Sequence, residues 1–178
     1  MQLSAIGFTI TTAIFHVTLI MIPILLIVHF FKVKVGLLVQ AVNITLLLGS
    51  LLFTTIFLTE FFINFFSGAD YVQYTFAGFA PHPFWLYPLI VFISYVLMPQ
   101  IFWIEKFRKS ITWPAVIVLI WIVLRAINLL ILESTDQSWG VNFVYTLPQI
   151  CIYAVIVATV YLILIRRKIT LPSETGNK

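Results

Sequence analysis

Charge is scarce in this sequence. Only 9% of its 178 residues are Asp, Glu, Lys or Arg, while 62% are hydrophobic and the mean hydropathy is +1.11. An ordinary soluble domain carries roughly a quarter charged residues, and too few are present here to cover a water-facing surface. Lipid must be part of this chain's solvent. Cysteine is nearly missing too. Cys151 stands alone in an apolar stretch, which excludes an intrachain disulfide and an iron–sulfur cluster held by this chain, and the thiol reads as a small buried hydrophobe.

Other absences narrow the field. The apolar runs lack the alternation of barrel strands, so helices are the expected spanning element. There is no nucleotide-binding loop, nucleophile elbow or metal-ligand set, which argues against a self-contained soluble-type enzyme. No lipidation box and no internal repeat is present. The net charge of +4 comes from short basic clusters between apolar runs, not from a basic face, so nucleic acid is not an expected partner.

What is there is long apolar sequence. Five runs reach the roughly 20 residues a spanning helix needs: 8–31, 37–65, 84–104, 112–132 and 142–165. The first lacks a basic leader and exceeds the about 7–15 residues of a signal-peptide core, so it reads as a span. Lys32 and Lys34 follow the first run, Lys106, Arg108 and Lys109 the third, and Arg166, Arg167 and Lys168 the fifth. The segments 1–7, 67–83 and 133–141 hold no Lys or Arg. The positive-inside rule then predicts an all-α integral membrane protein of about five helices, N-terminus outside and C-terminus inside. Residues 1–168 read as one transmembrane domain and 169–178 as a cytoplasmic tail.

Prolines and aromatics add detail. Pro114 and Pro148 lie near helix starts, where a missing N–H matters little, whereas Pro23 and Pro99 are interior and predict kinks with a freed upstream carbonyl. The outer segment 67–83 carries Tyr71, Tyr74, Phe76 and Phe79 and reads as an interfacial loop.

Polar residues inside apolar runs are the candidate site residues. A charge there costs about 2.5–3.5 kcal/mol on insertion scales. Glu60 and Arg125 lie in the outer halves of the second and fourth runs, at similar depth and with opposite sign. They predict an inward-facing ion pair, with Asn128 one turn from Arg125 taking a spare guanidinium donor, or else a proton route through Glu60. His16, mid-depth in the first run, reads as a hydrogen-bonded interior residue, with a place on the proton route or haem ligation with a partner elsewhere as alternatives. His82, between two prolines, reads as a solvated one. His16 and His29 are 13 residues apart, a rotation of about 220°, so one helix does not present both to a pair of haems. Asn43, Ser50 and Thr54 share one face of the second run and predict either a polar path or helix packing, with packing preferred.

One stretch is more specific. Leu58-Thr-Glu-Phe-Phe-Ile-Asn-Phe-Phe-Ser-Gly68, followed by Tyr71-Val-Gln-Tyr-Thr-Phe76, resembles a segment of the polysulfide-reductase-like (NrfD-type) membrane subunits, closest to the quinol-interacting subunit of bacterial alternative complex III. Pro99-Gln-Ile-Phe-Trp-Ile-Glu-Lys-Phe-Arg108 resembles that subunit's next cytoplasmic turn, and Gln137-Ser-Trp-Gly140 its last external turn. The resemblance runs from Leu58 to Arg167 and implies the second four-helix bundle plus last helix of the NrfD-type fold. It further implies a multi-pass protein of the bacterial inner membrane, part of a respiratory quinol-oxidising complex. This chain would bind no cofactor itself. It would meet a quinol such as menaquinol at its surface, with iron–sulfur clusters and haem c in partner subunits. Glu60 matches the glutamate of the family's Thr-Glu-Phe-Phe motif, and Arg125 falls near the arginine of a Glu-Arg pair. Leu124 stands where that pair's glutamate belongs.

Overall fold

The computed structural model describes residues 2–31, 35–66, 92–132 and 143–170, with side chains omitted at 2–5, 60–61, 64–65, 125, 127–132, 143–146 and 168–170. It is helical, with no strand among the described residues. The elements are α1 (Gln2–Phe30), α2 (Gly36–Phe66), α3 (Ile93–Trp103), the short α4 (Glu105–Arg108), α5 (Thr112–Leu132) and α6 (Phe143–Thr170). Among the described residues, three stretches are long and apolar enough to cross a membrane: Ile6–Phe30, Gly36–Thr59 and Leu147–Arg167. Ile93–Trp103 and Thr112–Leu124 are shorter apolar helices.

Most helix boundaries follow the apolar runs. α5 covers the expected 112–132, and α2 exceeds 37–65 by one residue at each end. α1 begins earlier than expected, at Gln2, and α6 continues to Thr170, into the segment read as a tail. α1 also runs unbroken through Pro23. The described part of the third run, by contrast, is not a regular α-helix.

α2 is the hub. It packs against α1, α3, α4 and α6, while α5 leans on α1 and α3. Lipid tails are as apolar as leucine, so burying leucine against a neighbour gains little over leaving it in the bilayer; close packing and interhelical hydrogen bonds must hold such a bundle instead. The α1–α2 pair shows the packing half of this. A Cβ on Gly49 would meet Ile14 Cγ2 at 2.7 Å, and one on Gly7 would meet Ile56 Cδ1 at 2.6 Å. The two contacts are seven residues apart on both helices, running in opposite directions. That is two turns of an antiparallel pair repeating one contact, each time an isoleucine seated on a glycine.

The core between these helices is dense and aromatic. Phe15 of α1 meets Tyr95, Trp121 and Phe53 edge-on at centroid distances of 5.1, 5.4 and 5.8 Å. Tyr95 and Trp121 stack nearly parallel at 4.6 Å.

α6 is peripheral. Only 11% of its spanning window is buried, against 39% in α1 and 44% in α2. Its contact stripe is narrow, with Tyr153 and Val157 buried and Tyr161 and Leu164 half-buried. Tyr153 ties it to α1 by accepting the Thr18 hydroxyl at 3.4 Å. Cys151 lies off that stripe and is exposed. This corrects the buried reading: an apolar neighbourhood in sequence does not place a residue inside when one helix face suffices for packing.

Candidate functional site

Among the described residues, the irregular helix is α3. Residues Ile93–Leu97 form a π-helical turn, in which the Met98 N–H reaches back to Ile93 O, and Met98–Trp103 continue as a 3-10 helix with Pro99 at its start. Pro99 explains the change of pitch. It has no N–H to give Tyr95 O, and its ring would clash with that carbonyl in a regular helix. Widening before the proline and tightening after it avoids both problems.

A widened turn exposes carbonyls, and in an apolar interior each must find a donor. The neighbours supply them. Trp121 Nε1 of α5 donates to Ser94 O at 3.1 Å. Gln100 Nε2 donates to Val96 O at 3.1 Å and to Ser50 Oγ of α2 at 2.6 Å. Ser50 Oγ donates in turn to Val96 O at 3.4 Å, and Trp103 Nε1 donates to Gln100 Oε1 at 2.9 Å. The result is a polar chain Trp103–Gln100–Ser50 within an apolar bundle, with Ser50 about 21 Å along α2 from Gly36 at 1.5 Å per residue. Ser50, Gln100, Trp103 and Trp121 are donors and acceptors that do not titrate near neutral pH, so this chain holds backbone and orients side chains but does not relay protons by ionising.

No protein-family model, curated protein or solved structure matches this chain. Its site is therefore read from its own geometry.

Of the residues singled out in sequence, Ser50 enters this chain directly. Thr54 borders it, returning its hydroxyl to Ser50 O at 2.7 Å. Asn43 lies on the same helix but serves another place. Its Nδ2 donates to Arg108 O at 2.9 Å and to Ser110 O at 3.0 Å, binding α2 to the turn after α4. The three residues thus share a face without forming one path. His16 is on the exposed side of α1, between buried Phe15 and Val17, which corrects the interior reading. Both of its neighbours in sequence face the core, and the 100° step per residue turns His16 outward. The side chains of Glu60, Arg125 and Asn128 and the whole of His82 lie outside the described residues.

Gln100 and Trp121 were missed as site residues. Gln100 was findable, because it follows the proline expected to free a carbonyl one turn upstream. Trp121 carried no signal, since nothing in sequence says which carbonyl its indole would meet.

A second polar region sits at the basic end of the bundle. The start of α2, α4 and the end of α6 converge on a cleft of about 560 Å³ lined by Leu37, Gln40, Ile44, Glu105, Arg108, Lys109, Leu164 and Arg167. Lys109 Nζ and Glu105 Oε1 are 2.5 Å apart. The hydrogen bond and charge of Lys109, helped by Arg108 and Arg167, hold the Glu105 carboxyl below its ordinary 4.5. Asn43 Oδ1, Thr45 Oγ1 and Arg108 Nε are buried with no hydrogen-bond partner among the described residues.

Proposed function

We propose that this chain is a non-catalytic membrane subunit of a respiratory quinol-oxidising complex in the bacterial inner membrane. It spans the bilayer five times, N-terminus outside and C-terminus inside. It shapes a quinol-exposed or proton-conducting region and docks partner subunits that carry the redox centres. The observation that carries the structural half of this reading is the polar face of α2: Asn43 and Ser50 are buried and joined to neighbouring backbone, and Thr54 is bonded to its own helix. Polar residues committed in this way cement a scaffold, whereas a transport path needs them facing an open lumen. The respiratory half rests on the resemblance of Leu58–Gly68 and Pro99–Arg108 to the NrfD-type subunits. The broad apolar surface left outside the bundle, including Phe30 at 84% and Phe66 at 72% exposure, is surface for lipid or neighbouring subunits.

The test is gentle detergent purification from native membranes, with mass spectrometry of what co-migrates. Iron–sulfur and cytochrome c proteins in stoichiometric amount are expected, and a lone homo-oligomer would discredit the assignment. A purely structural or assembly subunit is distinguished by replacing Glu60, Arg125 or His16: that role predicts changed complex yield with unchanged turnover per assembled complex, whereas a part in proton conduction predicts lowered turnover.

One observation favours a second reading, an oligomeric transporter. Irregular helices line substrate sites in many transporters, and α3 changes from π to 3-10 pitch in the apolar interior. Solute or ion flux in liposomes holding only this protein would move that reading to the front.

A further inference from the structure

The basic cleft is not used by the scaffold role, and the inference drawn from it does not depend on the respiratory reading. Three cations and one carboxylate line it. Lys109 is neutralised locally by Glu105. Arg108 is held rather than loose: its backbone carbonyl accepts from Asn43, and its Nε is buried. Yet its side chain makes no hydrogen bond or salt bridge among the described residues. A guanidinium fixed at a cleft wall with positive excess around it is a preorganised anion ligand.

The depth of the cleft selects the anion. The apolar spans of α2 and α6 run from Gly36 and to Arg167, and the cleft is lined by Leu37 and Arg167 themselves. It therefore opens where hydrocarbon gives way to headgroups. Leu164, about 4.5 Å from Arg167 along the axis, and Ile44, about 10 Å from Leu37, continue its wall into the apolar region. A soluble anion would have no use for that wall. A phospholipid uses both parts, because basic pockets between helices at this level suit anionic headgroups and the helix flanks suit acyl chains.

We propose that this cleft binds one anionic phospholipid, its phosphate on Arg108 and Arg167 and its chains along Leu37, Ile44 and Leu164. The binding is specific to the cleft and not a property of the basic end at large, which gives it a sharp control. Arg166 neighbours Arg167 in sequence, carries the same charge, and does not line the cleft.

The experiment uses the full chain, delipidated in neutral detergent, titrated with phosphatidylglycerol or phosphatidylcholine, and read as bound lipid by native mass spectrometry. Phosphatidylglycerol is expected to bind more tightly than phosphatidylcholine. Arg167→Gln should weaken it about fivefold, as should Arg108→Gln, while Arg166→Gln leaves it unchanged. Should Arg108→Gln fail to fold, the Arg167→Gln and Arg166→Gln pair still decides. Equal weakening by those two would reduce the effect to diffuse surface charge and overturn the proposal. Equal affinity for the two lipids would overturn it as well. Displacement of phosphatidylglycerol by an equal concentration of inorganic phosphate would assign the cleft to a soluble anion instead.

Discussion

The pitch change in α3 and the basic end solve the same problem in different solvents. In each, a side chain on α2 donates to the carbonyl of irregular backbone: Ser50 to Val96 O in the apolar interior, Asn43 to Arg108 O and Ser110 O where the chain turns. In the interior, Trp121 and Gln100 complete the set, and no water can stand in for a lost donor. At the basic end, charged side chains and a cleft surround the turn, so water can reach much of what a mutation exposes. One device therefore carries different weight in the two places, because an unmade hydrogen bond costs what the local medium cannot replace.

The largest effect should come from Trp121. Trp121→Ala removes the stack on Tyr95, the edge contact with Phe15 and the donor to Ser94 O, and is expected to cost about 3–5 kcal/mol in detergent unfolding. Trp121→Phe keeps most of the volume and isolates the donor, at about 1–3 kcal/mol. If the two variants unfold alike, the carbonyl of the widened turn matters more than the aromatic core. Asn43 comes next. Asn43→Leu leaves two carbonyls without a donor, and because both lie beside a hydrated end the loss is expected near the low end of that range, about 1 kcal/mol. A loss as large as that of Trp121→Ala would erase the contrast between the regions.

The smallest effect is pH dependence from Glu105. Its carboxyl is held below 4.5 in the folded protein, chiefly by Lys109, so the pair favours folding above that pH and the contribution is lost as pH falls through the lowered value. Both partners are exposed, and the pair is expected to be screened by salt. Acid titration of the melting temperature should show a step below about pH 4.5 that Glu105→Gln removes. A step of the same size in that variant would assign it to another carboxyl.

The membrane character and the ends of α2 and α5 were readable because they follow from composition along the chain: 112–132 was apolar enough to delimit α5 without any structure. The irregularity of α3 was half readable. Pro99 announced a freed carbonyl, but the π-to-3-10 answer depends on what packs beside it. Asn43, Ser50 and Thr54 read as one polar face, yet their division between the turn after α4 and the pitch change in α3 was not visible, since that requires knowing which partner lies opposite each level of α2. Cys151 and His16 were read inward and stand outward. In a span that is apolar all round, hydropathy does not mark a buried face, because lipid accepts what a core accepts.

The sequence by itself determined that this chain is helical and suited to a bilayer, and where along it the positive charge lies, because those properties sum over residues without regard to partners. Tertiary structure decided the rest. It seated Ile14 and Ile56 on glycines of the facing helix, gave the indole of Trp121 a carbonyl from another element, and gathered α2, α4 and the end of α6 around a basic cleft. The physical reason is common to all three: when lipid makes apolar burial nearly neutral, the arrangement is chosen by close packing and by directional hydrogen bonds, and neither exists until two helices meet.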